Sequence, residues 1–547
     1  MKKNYLLAGL MSLGMLLVGC DRDGKDGKDS LFDPGLNGEM AEITPAKSKS
    51  RLQDIGVEFV NAINAESHEN LANMLTYVES NLAFDVDGAY YEKLAGLLEV
   101  SGGEEDYARG VNPVRAMADM AASCLAVAQN GPQLASRAAD IYTYTLKAGL
   151  KDVYGGFAPD MSNKQWRYDS SITDRLEVKF TDDLDQVWVA TLKGSKETTR
   201  VNLTYDDIHK WNSEYIGWDG NKEVYEEGGH ERYIISIDVP KLITFIVKCG
   251  NEKVVNLEVN SSLALDIDYL DDYSSYHYEG YDDNREWYCM YGSESKIELK
   301  VDYSNLNLDA ALDVNGYAES FVVKVSESNI QSSAEVKIDG KSMLKAEAAL
   351  NGDIDAFTKE YSKYCSSSYS YSSKTGEEVY TEAELDPSCI TNFAVKLDVM
   401  GKAQVYGKCD SFEKFYDAYY LTDAEWDAMF VEKDPVMDWE KYIDAINDTY
   451  EITIHYDNTA TVQANIEFEG IEIVEEDYYE SYTYYSVRPV LVFAADDSRY
   501  AFEDYFTESG FRKVFDAVEE LAQKIEDMFG QYAEEEESHP EGDYYPY

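Results

Sequence analysis

The residues of this sequence that are able to do chemistry are plentiful but thinly organised. His68, His209, His230, His277, His455 and His539 are scattered without ligand spacing, whereas a zinc site needs three or four ligands brought together. His68-Glu69 and His230-Glu231 open the HExxH pattern and lack its second histidine. No glycine motif for phosphates or dinucleotides occurs, so neither a metal nor a cofactor is expected. Ser293-Glu294-Ser295-Lys296 and Ser411-Phe412-Glu413-Lys414 match SxxK, in which a lysine one helical turn away activates a serine, but no SDN or KTG partner accompanies them. Asp266, Asp268, Asp271 and Asp272, like Asp282 and Asp283, lack the spacing of a calcium loop and read as solvated acidic turns. Glycoside hydrolysis needs only two carboxylates about 5–9.5 Å apart, and among 105 acidic residues nothing nominates a pair.

Cys20 differs, because its surroundings define a reaction. Lys2 and Lys3 precede an apolar run from Tyr5 to Val18, small Gly19 follows, and Asp21, Arg22 and Asp23 come directly after the cysteine. Residues 1–19 therefore read as a signal peptide, with an apolar run shorter than the ~20 residues of a spanning helix. Leu17-Val18-Gly19-Cys20 resembles the bacterial lipobox. The resemblance implies that the Cys20 sulfur carries a diacylglyceryl group, that the chain is cut before it, and that the new amine is acylated. Two or three acyl chains hold a protein firmly to a membrane, where one does so marginally. The acidic residues that follow are similar to the export signal of Bacteroidota-type surface lipoproteins, which implies the outer face of the outer membrane. In enterobacterial sorting an Asp after the cysteine implies inner-membrane retention instead. The expected place is the outer membrane, lipid-anchored at the cell surface, with the periplasmic face as the alternative.

Residues 20–50 are expected to be anchor and flexible tether, since DRDGKDGKDS over 21–30 cannot bury a core. An EF-hand loop from Asp21 fails at Lys25 and Asp26, and two collagen-like triplets without proline make no triple helix. The net charge of −57 disfavours nucleic acid and anionic headgroups, and suits cations, basic proteins, neutral glycans or plain solubility. Beyond Cys20 stand Cys124, Cys249, Cys289, Cys365, Cys389 and Cys409. An oxidising compartment allows disulfides, with isolated buried thiols equally expected. Cys389 and Cys409 are the first candidate pair, although the register of their hairpin sets Cys409 nearer Asn392. Tyrosines cluster at 269–281, 361–371 and 478–485. Their high β-propensity places them on solvent-facing strands, and the alternative is a set of exposed contact loops.

The elements that must position these residues follow from apolar period. Helical spacing runs through Leu52, Ile55, Phe59 and Ile63, through Leu71 to Leu82, through Met117 to Leu125 and through Leu134 to Thr145. Alternation takes over near Arg175, with turns at Asn315-Gly316, Asp339-Gly340 and Met400-Gly401. Further on, helices are expected around Phe412–Tyr419, after a capping box at Thr422 and Glu425, and around Trp439–Ile446, followed by a meander turning at Asp457-Asn458 and Glu469-Gly470. Phe511 to Phe529 form one apolar helical stripe.

The expected fold is α+β: a helical N-terminal region followed by a large curved antiparallel sheet covered by helices. The expected segments are a signal at 1–19, anchor and tether at 20–50, a helical region at 51–160, an antiparallel β-rich region at 161–386, a second αβ region with a C-terminal helix at 387–533, and an acidic tail at 534–547. The expected function is a membrane-anchored, non-catalytic binding or scaffold protein, with a hydrophobic ligand in an apolar concave face as one form of it. The alternative is a glycan-acting hydrolase using a carboxylate pair.

Overall fold

Period-two alternation dominates the chain further than spacing alone indicates. The computed structural model describes residues 34–86, 143–146, 154–216, 222–302, 306–419, 439–476 and 481–529, apart from 83, 263, 282–283 and 384–385. It is mostly β, with 56% strand against 21% helix, which overturns the α+β expectation with its helical region over 51–160. Helical spacing does produce α1 (Pro45–Ala62), begun by a proline suited to the first turn, and α2 (Glu69–Asn81). Their stripes are spent on the sheet: Ile55 of α1 and Met74 and Val78 of α2 are buried among strand residues. Asp85–Val86, Thr143–Leu146 and Gly155–Asp160 are strands already. Thr145, which spacing places on a helix, pairs in parallel with Ile234 in a Thr-Tyr-Thr-Leu run of high β-propensity. The spacing at 117–125 and 134–142, the capping box at Thr422 and the tail from Glu534 lie outside the described residues.

The larger sheet has seventeen strands. Its ladder passes from Asp85–Val86 through Gln165–Asp169, Gly155–Asp160, Leu176–Thr181, Val187–Gly194, Leu242–Cys249 and Glu252–Ser261. It continues as an up-and-down meander from Leu306–Val314 to Arg499–Ala501, unbroken across residue 386. Two of its pairings are parallel, so the sheet is mixed rather than antiparallel. The turns at Asn315-Gly316, Asp339-Gly340 and Asp457-Asn458 form with positive φ at both residues, as tight hairpins require. Glu469-Gly470 is no turn; it lies within the strand Ala464–Glu476, opposite Arg488 and Val487. A side chain at Gly470 would stand 2.8 Å from Ile443 Cδ1 of the covering helix, so this glycine serves close packing.

Among the described residues five further helices are α3 (Ile354–Tyr364), α4 (Phe412–Tyr419), α5 (Trp439–Thr449), α6 (Phe502–Tyr505) and α7 (Arg512–Phe529). One core joins α2 to Phe157, Trp188, Leu192, Phe245 and Leu257; another joins α1 and α7 to Tyr456, Leu491 and Phe493. Each fully hidden large apolar side chain contributes about 1.5–3 kcal/mol. Among the described residues no helix is long and apolar enough to cross a membrane.

The smaller sheet is a projecting arm. Its strands are β1 (Thr143–Leu146), β2 (Thr198–Ile216), β3 (Lys222–Pro240), β4 (Leu265–Tyr281), β5 (Trp287–Val301), β6 (Ser367–Ser372) and β7 (Glu377–Glu382), in the order β7-β6-β5-β4-β2-β3-β1. Two hairpins of the large sheet run on into it. Gly194 pairs with Ile243 and Thr198 with Pro240, so three residues oppose two at Ser195–Glu197, a bulge that re-aims the ribbon. A second one-residue offset separates the pair Ser261/Leu308 from Ile267/Val301. Beyond this level the 19 residues of β2 extend about 60 Å at ~3.3 Å per residue.

Candidate binding face of the arm

Register decides what the arm displays. β2, β3, β4 and β5 pair without a shift, so odd-numbered residues share one face and even-numbered residues the other; on β7 the parity reverses, Tyr369 lying opposite Tyr380. The odd face carries Tyr205, Trp211 and Tyr215 from β2, Tyr225 and Tyr233 from β3, and Tyr269, Tyr273 and Tyr281 from β4. Trp287 and Tyr291 follow from β5, Tyr369 and Tyr371 from β6, and Tyr380 from β7. Among the described side chains the even face has only Tyr276, Tyr278 and Tyr288. A sheet that used tyrosine for β-propensity alone would divide its rings between the faces; this one does not.

The rings are held in place and left open. Tyr205 stacks on Tyr269 at 5.2 Å and leans on Tyr233 at 5.9 Å, while Tyr291 meets Tyr371 at 5.1 Å and Tyr369 at 5.8 Å. Such pairs add about 0.5–1.5 kcal/mol beyond their burial. Yet Trp211 is 47% exposed, Tyr225 54%, Trp287 55% and Tyr380 59%, and most of the large exposed apolar side chains of the described residues belong to the arm or α3. Patches of this kind on a soluble surface mark contact sites.

Carboxylates stand between the rings. Tyr225 donates to Glu223 at 2.6 Å, Tyr233 to Glu231 at 3.0 Å and Tyr369 to Glu378 at 2.9 Å. Asp207 lies 2.8 Å from His209 Nε2, and His277 Nε2 lies 2.8 Å from Glu279. Asp271 is the lateral neighbour of Asp207. Burial, and then the charge of Asp207, push its pKa above the usual carboxylate value. Burial also raises the phenols of Tyr205 and Tyr269, with the same carboxylates adding to it. At Gly229, opposite His209, nothing lies within 4 Å of where a side chain would stand, which leaves a notch in the row.

The structure sorts the other residues singled out by sequence. Ser293 and Lys296 lie on β5 with opposite parity, so they face opposite sides of a strand rather than one helical turn. Ser411 Oγ accepts from the Lys414 amide, a cap rather than a nucleophile. His230 and Glu231 point to opposite faces, His230 Nε2 being 2.9 Å from Asp206. Asp266, Asp268 and Asp272 share the even face while Asp271 takes the odd one, so these acids do not converge. Cys249, Cys289, Cys365, Cys389 and Cys409 are all free thiols; the Cys389–Cys409 pair is not formed, and Cys409 lies opposite Phe393. Cys20 and Cys124 lie outside the described residues, as do the side chains at 478–485. Sequence clusters missed Trp211, Tyr215, Tyr225 and Trp287, which are dispersed along their strands; the legible signal was parity, which Tyr205, Asp207, His209, Trp211 and Tyr215 keep over eleven residues.

The concavities offer a different chemistry. A cleft of about 1040 Å³ between β5 and α3 is lined by Lys296, Lys300, Lys359, Asp266, Glu294 and Glu298 among others, and by no aromatic ring. A trough of about 440 Å³ on the larger sheet is lined by Asn256, Asp309, Ser333, Glu335 and Lys337 among others. Charged and polar side chains line both, with Ile297, Leu299 and Val301 beside them in the cleft. No protein-family model, characterised protein or solved structure matches the chain.

Proposed function

We propose that this chain is a membrane-anchored, non-catalytic binding protein that presents the odd-numbered face of its arm to an extended partner. The observation that carries this reading is the segregation, among the described side chains, of thirteen aromatic rings to one face against three on the other. Rigid amphipathic rings give large contact area at low entropic cost, which is why contact surfaces use them. A glycan-acting hydrolase is the weaker reading, because the aromatic face is open sheet and the cleft between β5 and α3 has carboxylates without rings. A hydrophobic cargo is weaker too, because Lys, Asp and Glu side chains stand in the lining of both concavities.

Orientation supports the same reading. The segment from Pro34 runs along the strand ends opposite the arm, with the Asn37 amide donating to Asn458 O and Arg51 paired with Asp457. A lipid on Cys20 would tether the chain from that end at the outer-membrane surface and leave the arm, on the far side, free to reach a partner. Hydroxyl-radical footprinting tests the face. Tyr273 and Tyr276 are 39% and 42% exposed on opposite sides of β4. Oxidation of Trp211, Tyr225 and Tyr273 should be lower on intact cells than in the purified protein, with Tyr276 unchanged. Equal oxidation of the odd-face rings in both settings contradicts the proposal.

A further inference from the structure

Resting on that reading, we infer that the partner of the aromatic face is cationic: a Lys- and Arg-rich polypeptide segment that lays its charged side chains across the tyrosines. The face is set apart by what it lacks. Among the described side chains it carries seven carboxylates, on Asp207, Glu223, Glu227, Glu231, Asp271, Glu279 and Glu378, and not one Lys or Arg. The even face of the same strands carries Arg200, Lys210, Arg232, Lys296 and Lys300. There Arg200 pairs with Asp238 at 2.9 Å, Lys210 with Asp272 at 3.4 Å, Arg232 with Asp206 at 3.3 Å and Lys300 with Glu298 at 3.0 Å. On the even face four bases are thus each paired with an acid, whereas the odd face sets rings and acids together with the imidazoles of His209 and His277 and without Lys or Arg among its described side chains.

That combination has a specific use. Ammonium and guanidinium groups are attracted to the faces of Tyr and Trp, and their hydrogen bonds to carboxylates are stronger than neutral ones. Tyr225, Tyr233 and Tyr369 already orient Glu223, Glu231 and Glu378, so part of the cost of ordering acceptors falls on the fold. The net charge of −57 would speed the approach of such a partner. A neutral glycan would use the rings and acceptors equally well, but it gives no reason for Lys and Arg to be confined to the opposite face.

The test uses the full mature chain and a fluorescent oligolysine peptide, with oligoglutamate and a soluble neutral glucan as rival probes. Two variants each remove three charges: Asp207→Asn, Glu231→Gln and Asp271→Asn together on the aromatic face, and Asp206→Asn, Asp272→Asn and Glu298→Gln together on the other. Both are checked for cooperative unfolding and an unchanged circular-dichroism spectrum. The aromatic-face variant, and Trp211→Ala separately, should weaken oligolysine binding on the order of tenfold, and the other variant by less than about twofold. Equal losses from the two charge variants would show attraction by bulk charge alone and overturn the inference, as would tighter binding of the glucan. Footprinting that still shows protection of the odd face would then leave the contact surface standing with a different partner; loss of that protection removes both.

Discussion

Asp271 and Asp207 sit side by side across a parallel pair of strands, a placement that disfavours two charges at once. Burial is the larger cause of the raised Asp271 pKa, Asp207 the next. The sign follows: a carboxyl whose folded pKa exceeds its unfolded value destabilises the fold as pH rises from the ordinary carboxylate range through the raised value. Asp271→Asn should therefore melt higher than the parent at neutral pH, and the gain should vanish towards acid; a gain independent of pH in thermal unfolding would refute this account of the pair. The thiols make a second residue-scale prediction. Burial raises the pKa of Cys389 and Cys409, and Cys409 is fully hidden. Thiolate is the reactive form, so iodoacetamide should spare both in the native protein and label both once it is unfolded, as mass spectrometry would show.

Elements are fixed by local rules where one rule acts alone. The hairpins at Asn315-Gly316 and Asp339-Gly340 and the stripe of α7 were legible because turn chemistry and apolar period pointed the same way. Gly470 was misread because sequence cannot separate a glycine that turns the chain from one that admits Ile443. Gly352 is of the second kind: a side chain there would meet the Cys389 carbonyl oxygen at 2.3 Å, where the sheet shifts register beside the start of α3. Gly352→Ala should destabilise by about 1–3 kcal/mol in denaturant unfolding, while Gly376→Ala, with a positive φ but open space, tests backbone strain without the clash. The arm was half legible. Alternation announced strands and the tyrosine count announced something unusual, but which ring faces which way depends on pairings such as Tyr205 with Tyr269, sixty-four positions away, and on bulges no local pattern reveals.

At the scale of the whole molecule the two sheets differ in what holds them. The buried apolar clusters lie in the larger sheet and its helices, and of the arm only Val239 packs against one. Amides of 209–215 and 223–229 should thus exchange hydrogen faster than those of 188–192 and 243–247, since protection follows buried contacts; equal rates would mean that the arm is as firmly held as the body. Anchoring is a separate claim: Cys20→Ser should abolish labelling by radioactive palmitate and release the chain from the membrane fraction, and protease added to intact cells should reach the wild-type arm. Contact through one face of the arm can be resolved at two adjacent positions of β2. Trp211 and Lys210 are both exposed and point to opposite faces. A photo-crosslinking residue placed at each in turn, on living cells, should give adducts from position 211 and none from 210; adducts from both alike, or from 210 alone, would contradict it.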